Sequence, residues 1–148
     1  MNRAQADLVA RRTVARYADA IDHKVLDDIA AIFAVDGELR RAGTVTTGRA
    51  AIAAFYGDFL PTVGHMRHHM TNTIAEPDGE LIRAGSRFTY VQVVEDGVRF
   101  GWGDYADIIE PTGDDDGVFV SKEITVHHAQ VVPMEVGVHL LPEALPPT

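Results

Sequence analysis

The chain changes texture once. Up to about residue 65 its apolar residues recur at helical spacing, and from Arg67 onward they come in four long runs rich in Val, Ile, Thr, Tyr and Phe. Those runs are Met70 to Ala75, Leu81 to Val94, Val98 to Glu110 and Val118 to Val132. They are divided by Pro77-Asp78-Gly79, Glu95-Asp96-Gly97 and the stretch Thr112 to Gly117, all rich in turn formers. Four strands joined by hairpins make a curved antiparallel sheet. Helices first and a meander afterwards is the α+β pattern, with the helices on one face of the sheet. A sheet bent around a helix leaves a hollow between them, so the sequence predicts an α+β domain whose curved sheet wraps the N-terminal helices and encloses a pocket.

In the first half, Leu8, Val14, Tyr17, Ala18 and Ile21 recur at three- and four-residue steps, which predicts an amphipathic helix from Ala4 to about His23. Val25 to Phe33 repeats the pattern and predicts a second helix, starting near Asp27 or Asp28 and stopping before Asp36-Gly37. Glu38 to Thr46 reads as a short hairpin or strand around Gly43. Ala50 to Leu60 reads as a third helix stopped by Pro61. The tail from Val131 to Thr148 holds four prolines around the apolar run Val136 to Leu141, and is expected to cover the pocket mouth or a neighbouring subunit.

A length of 148 residues, 46% of them apolar, suits one domain spanning 1–148 with a real core. With no cysteine, disulfides, thiolate metal sites and cysteine nucleophiles are excluded. A net charge of −9 repels phosphate backbones and anionic headgroups, so neither nucleic acid nor membrane is the expected partner. Arg3, Asp7, Arg11 and Arg12 interrupt the N-terminal apolar residues, so no signal-peptide core is visible and a cytoplasmic location is the expectation.

Ordered along the chain, several stretches resemble one family: Tyr17-Ala18-Asp19-Ala20-Ile21-Asp22, Ile29 to Phe33 with Asp36-Gly37, Gly48 to Ile52, Arg67 to Asn72, Gly103 to Asp107, and Val118 to Val126. Together these are similar to SnoaL-like proteins of the nuclear-transport-factor-2-like superfamily, over roughly residues 5 to 130. The resemblance implies the cone fold, a small-molecule substrate or ligand, a homo-oligomer (dimer or trimer), and no cofactor. In the superfamily's dehydratases and dehydrochlorinase, an Asp at the end of the first helix and a His at the start of the strand region form a catalytic dyad, which maps onto Asp22 and His69. A Tyr five residues before the Asp maps onto Tyr17. A second His used by scytalone dehydratase falls near Phe100 to Trp102, where this chain has none.

An Asp beside an imidazole fixes the neutral tautomer and stabilises the imidazolium formed on proton uptake, so the pair is a general base. Strand alternation puts His65, Arg67, His69 and Thr71 on one face and Met66, His68 and Met70 on the other; the periodicity alone leaves either His68 or His69 inward, and the resemblance points to His69. Tyr17 or Asn72 is the expected polariser of a substrate oxygen, and Trp102, Phe88 and Phe55 the expected pocket wall. Because five residues do not return to the same helix face, Tyr17 and Asp22 reach one pocket only if the helix unwinds near Ile21. Adjacent histidines on a strand point oppositely, so neither His68-His69 nor His127-His128 chelates one ion, and no metal is expected. Asp104, Asp107, Lys122 and Glu123 read as a solvated or interface ladder, and Asp114 to Asp116 as an exposed turn. The expected function is a cofactor-independent lyase or isomerase, dehydratase- or cyclase-like, acting on a small, largely apolar, possibly polycyclic molecule. The alternative is a non-catalytic binding or assembly module of the same fold; an epoxide hydrolase would need two carboxylates and an Arg, for which Arg67 and Asp104 are the candidates.

Overall fold

A computed structural model describes residues 1–133. Helix α1 spans Arg3–His23, held at its start by the Asn2 side chain, which accepts from the Gln5 N–H, and closed at its end by Lys24 in a left-handed conformation. Its buried stripe is Ala6, Val9, Ala10, Thr13, Val14, Tyr17 and Ile21, whereas Leu8 faces solvent. Helix α2 (Leu26–Ala31) is shorter than the periodicity suggests. Phe33 and Ala34 belong instead to strand β1 (Phe33–Arg41), because the chain is captured there by the last strand: the Phe119 N–H donates to the Ile32 carbonyl at 2.7 Å. A Cβ at Gly37 would lie 2.8 Å from the Phe119 carbonyl oxygen, so glycine permits this close approach. Strand β2 (Thr44–Thr47), helix α3 (Arg49–Phe59) and a 3₁₀ turn at Leu60–Thr62 complete the first half.

Strands β3 (Met66–Asp78), β4 (Leu81–Val94), β5 (Gly97–Pro111) and β6 (Gly117–Pro133) form the expected meander, so Val131 to Pro133 are strand and not tail. The expected role of residues 134–148 lies outside the described residues. The sheet order is β2-β1-β6-β5-β4-β3, and β1 runs parallel to β6 while every other pair is antiparallel. The sheet is therefore mixed, because β1 returns beside β6 only after all the intervening chain. Its concave face packs on α1, with Val9, Val14, Tyr17, Phe33, Leu39, Ile52, Ile82, Ile109 and Phe119 at the centre of the core. The acidic turn before β6 is tied down: Asp115 pairs with Arg12 at 2.6 Å and Asp116 with Arg16, both on α1. Among the described residues no helix is long and apolar enough to cross a membrane.

Candidate active site

A cavity of about 290 Å³ opens between the concave face of the sheet, the second half of α1 and the end of α3. It exists partly because β5 presents Gly101 and Gly103 toward it. A Cβ at Gly101 would meet the Tyr90 ring at 2.5 Å, and one at Gly103 the Phe88 ring at 2.7 Å and the Thr125 carbonyl at 2.0 Å. Without those side chains the two aromatic rings of β4 lie across the neighbouring strand and leave space above them.

Helix α1 runs unbroken to His23, with no unwinding near Ile21. Tyr17 and Ile21, four residues apart, both line the cavity; Asp22, about 100° further round, points at β3 instead and does not line it. The histidine it meets is His68. Asp22 Oδ1 lies 2.7 Å from His68 Nδ1, and Oδ2 accepts the His68 backbone N–H at 2.8 Å. An anion in the last turn of a helix stands against the helix dipole, so Asp22 does nothing for α1 that would explain its position. With both carboxylate oxygens engaged, the neutral imidazole carries its proton on Nδ1, and Nε2, on the ring that lines the cavity, has no hydrogen bond among the described residues. The side chains are 7% (Asp22) and 10% (His68) exposed.

His69 is a correction: it lies on the outer, solvent-exposed face of β3. The two-residue alternation holds, with Met66, His68 and Met70 turned inward, but a bulge between Thr71 and Ile74, where Asn72 takes a positive φ of 51°, then shifts the phase so that Thr73 and Ala75 face in. Asn72 is consequently exposed at a separate, open surface depression, away from the cavity. Trp102 is also outside, 43% exposed on the outer sheet face and stacked on His128 with centroids 4.4 Å apart. Phe55 packs behind the cavity against Tyr56, and of the expected wall residues Phe88 lines it. Arg67 and Asp104 are both exposed, Asp104 bonded to His127 at 2.9 Å.

Sequence reasoning missed Tyr56, which lines the cavity beside Tyr17 and Tyr105, the last of these among the strand aromatics expected as wall and core. The Tyr17 and Tyr56 hydroxyls lie 2.5 Å apart, both buried. Burial pushes the Tyr56 phenol up to about 12, an effect opposed by its hydrogen bond with Tyr17 and by the charge of Arg41. Tyr17 and Tyr105 are raised well above the ordinary phenol value, first by burial and then by neighbouring groups. Asp107 and Lys122 are a second correction. They are no solvated ladder but a fully buried ion pair, 3.1 and 3.3 Å from Nζ to the two carboxylate oxygens, with the ammonium 3.5 Å from the Tyr105 ring centroid and 4.4 Å from those of Tyr17 and Phe119. The clue was available: Asp107 shares its phase with Tyr105 and Ile109, both of which face the core. No group of three His, Asp or Glu is placed to hold a metal among the described residues.

Helices followed by a curved six-stranded mixed sheet make an α+β cone of the nuclear-transport-factor-2-like kind. The family profile for the SnoaL-like domain matches residues 3–122, and the chain belongs to that family. A search among curated proteins finds no match by sequence. Among solved structures, a protein of unknown function from Mycobacterium tuberculosis superposes with a TM-score of 0.71 at 23% identity, over 78% of this chain and 68% of its own. A type 2 hexachlorocyclohexane dehydrochlorinase, LinA, superposes with a TM-score of 0.76 at 15% identity over 92% and 93%. ActVI-ORFA of Streptomyces coelicolor does so with 0.68 at 22% identity over 79% and 93%. At such identities these likenesses speak to the fold.

Proposed function

We propose that this protein is a lyase or isomerase that uses its own side chains to remove a proton from a small, largely apolar substrate held in the cavity. His68 is the general base. The observation that carries this reading is the double hold of Asp22 on His68, which leaves Nε2 free of any other hydrogen bond among the described residues, at the wall of a cavity otherwise lined mainly by apolar and aromatic side chains. Asp22 sets the tautomer and stabilises the imidazolium after proton uptake. Removing a proton next to a carbonyl places negative charge on the oxygen, which needs a donor. In the Tyr17–Tyr56 pair one hydroxyl donates to the other, which leaves one O–H for the substrate oxygen, and we assign that role to Tyr56. Tyr17 is then the support of the donor. A cavity near 300 Å³ is at the small end of ligand sites and suits one or two rings.

Solvent deuterium exchange tests the chemistry without the natural substrate. A panel of bicyclic ketones is incubated with the protein in D₂O and α-proton loss is followed by NMR. Exchange by the wild type, lowered about 10²–10⁴-fold in both His68→Ala and Asp22→Asn with folded spectra retained, is the expected result. Equal exchange in wild type and variants, or none in the wild type, would count against it and leave a binding module.

A further inference from the structure

The cavity has an uneven charge that the proton-transfer reading leaves unused. Its lining includes Arg41 and Arg99 and contains no Asp or Glu, in a chain whose net charge is −9. The nearby carboxylates are committed elsewhere: Asp22 to His68 and Asp107 to Lys122. Arg99 lies 3.4 Å from the Gln92 side-chain oxygen. Arg41 makes no ion pair and no side-chain hydrogen bond among the described residues; its guanidinium rests 4.8 Å from the Phe59 ring centroid, half-buried, with its five donors unclaimed. A guanidinium without a counter-charge at an apolar cavity wall is costly to keep there for packing alone. Arg41 stands at the end of β1, and His68 on β3; these strands flank the concave face with β6, β5 and β4 between them. The two groups therefore address different parts of one guest molecule.

We infer that Arg41 anchors a carboxylate on the substrate, so that the cavity takes a one- or two-ring carboxylate held by its anionic end while the opposite end meets His68. A planar guanidinium fork matches a carboxylate's two oxygens, and the Phe59 ring beneath it holds the fork in place and excludes water from one side. The inference rests on the proposed function in taking the cavity as the substrate site, but its test reads binding and not turnover, so either can fail alone.

The experiment compares 2-naphthoate with its neutral isostere 2-naphthamide by titration calorimetry at pH 7.5 and low salt. The wild type is expected to bind the carboxylate at least tenfold more tightly. Arg41→Met should erase that preference while leaving the affinity for the amide unchanged, Arg41→Lys should restore part of it, and Arg99→Met and His68→Ala should keep it. Equal binding of the two probes, retention of the preference in Arg41→Met, its loss in Arg99→Met alone, or no binding of either probe would overturn the assignment. Melting curves of each variant show whether the fold is intact.

Discussion

Two acid–base pairs sit within one domain and have opposite environments. Asp22 and His68 meet at the cavity wall, nearly but not wholly buried, and one nitrogen of the pair is left facing the cavity. Asp107 and Lys122 meet in the core, with no exposure at all and three aromatic rings around the ammonium. In the first pair both oxygens of the acid serve to aim the base. In the second they do nothing but neutralise it. Burial dominates there: it raises Asp107 to about 6 and lowers Lys122 to about 8, despite each partner pulling the other way. A pair that is useful for proton transfer keeps an open atom, whereas a closed pair is a structural load whose removal must be symmetrical.

The largest break of this comparison is Lys122→Met, which leaves Asp107 buried without its cation and should cost about 3–5 kcal/mol in denaturant unfolding at pH 7.5. The signs set the pH dependence. Asp107 has a folded value above its ordinary one, so its contribution to stability is full below about 4 and is lost as pH rises through about 6. Lys122 has a folded value below its ordinary one, so its contribution is full above about 10.5 and is lost as pH falls through about 8. The intact pair therefore contributes least between 6 and 8. The Lys122→Met penalty should shrink at pH 5, where the lone Asp107 carries its proton, and the double change Asp107→Leu with Lys122→Met should be near neutral or stabilising with a flatter pH profile. An unchanged penalty between pH 5 and 7.5 would contradict the pair's role.

Tyr56→Phe sharpens the other side of the comparison. It strands the Tyr17 hydroxyl, at a cost of about 1–3 kcal/mol in unfolding free energy, and should lower deuterium exchange by about a hundredfold, whereas a purely structural hydroxyl would affect stability alone. The smallest effect belongs to His69→Ala. Exposed on the outer sheet face, it should leave stability within about 0.5 kcal/mol and exchange unchanged; a loss of activity there would return the base to the position suggested by resemblance.

Much of the cone was legible before any coordinates. Turn formers marked β3 to β6, three-and-four spacing marked α1, and the ordered stretches from Tyr17 to Val126 pointed to the family. Less was legible where two distant segments decide together. The switch of Phe33 and Ala34 from helix to strand depends on Phe119, and the bulge at Asn72 lies where distant α1 takes hold of β3, Arg11 donating to the Thr73 carbonyl and Asp7 accepting the Ala75 N–H. His68 was within reach, since Met66 and Met70 mark its side of the strand as apolar, but alternation divides residues into two faces without saying which is concave. Tyr56 gave no such signal: a tyrosine in a short apolar helix reads as core until its hydroxyl is seen 2.5 Å from that of Tyr17.

The parallel seam between β1 and β6 has a consequence for how the molecule is made. Phe33 pairs with Phe119, so during translation one edge of β1 is taken by β2 at once, while its other edge waits for its partner until residue 119 has left the ribosome. At about 5–20 residues per second that interval lasts several seconds, during which this edge of β1 stays open to chaperones or to other strands.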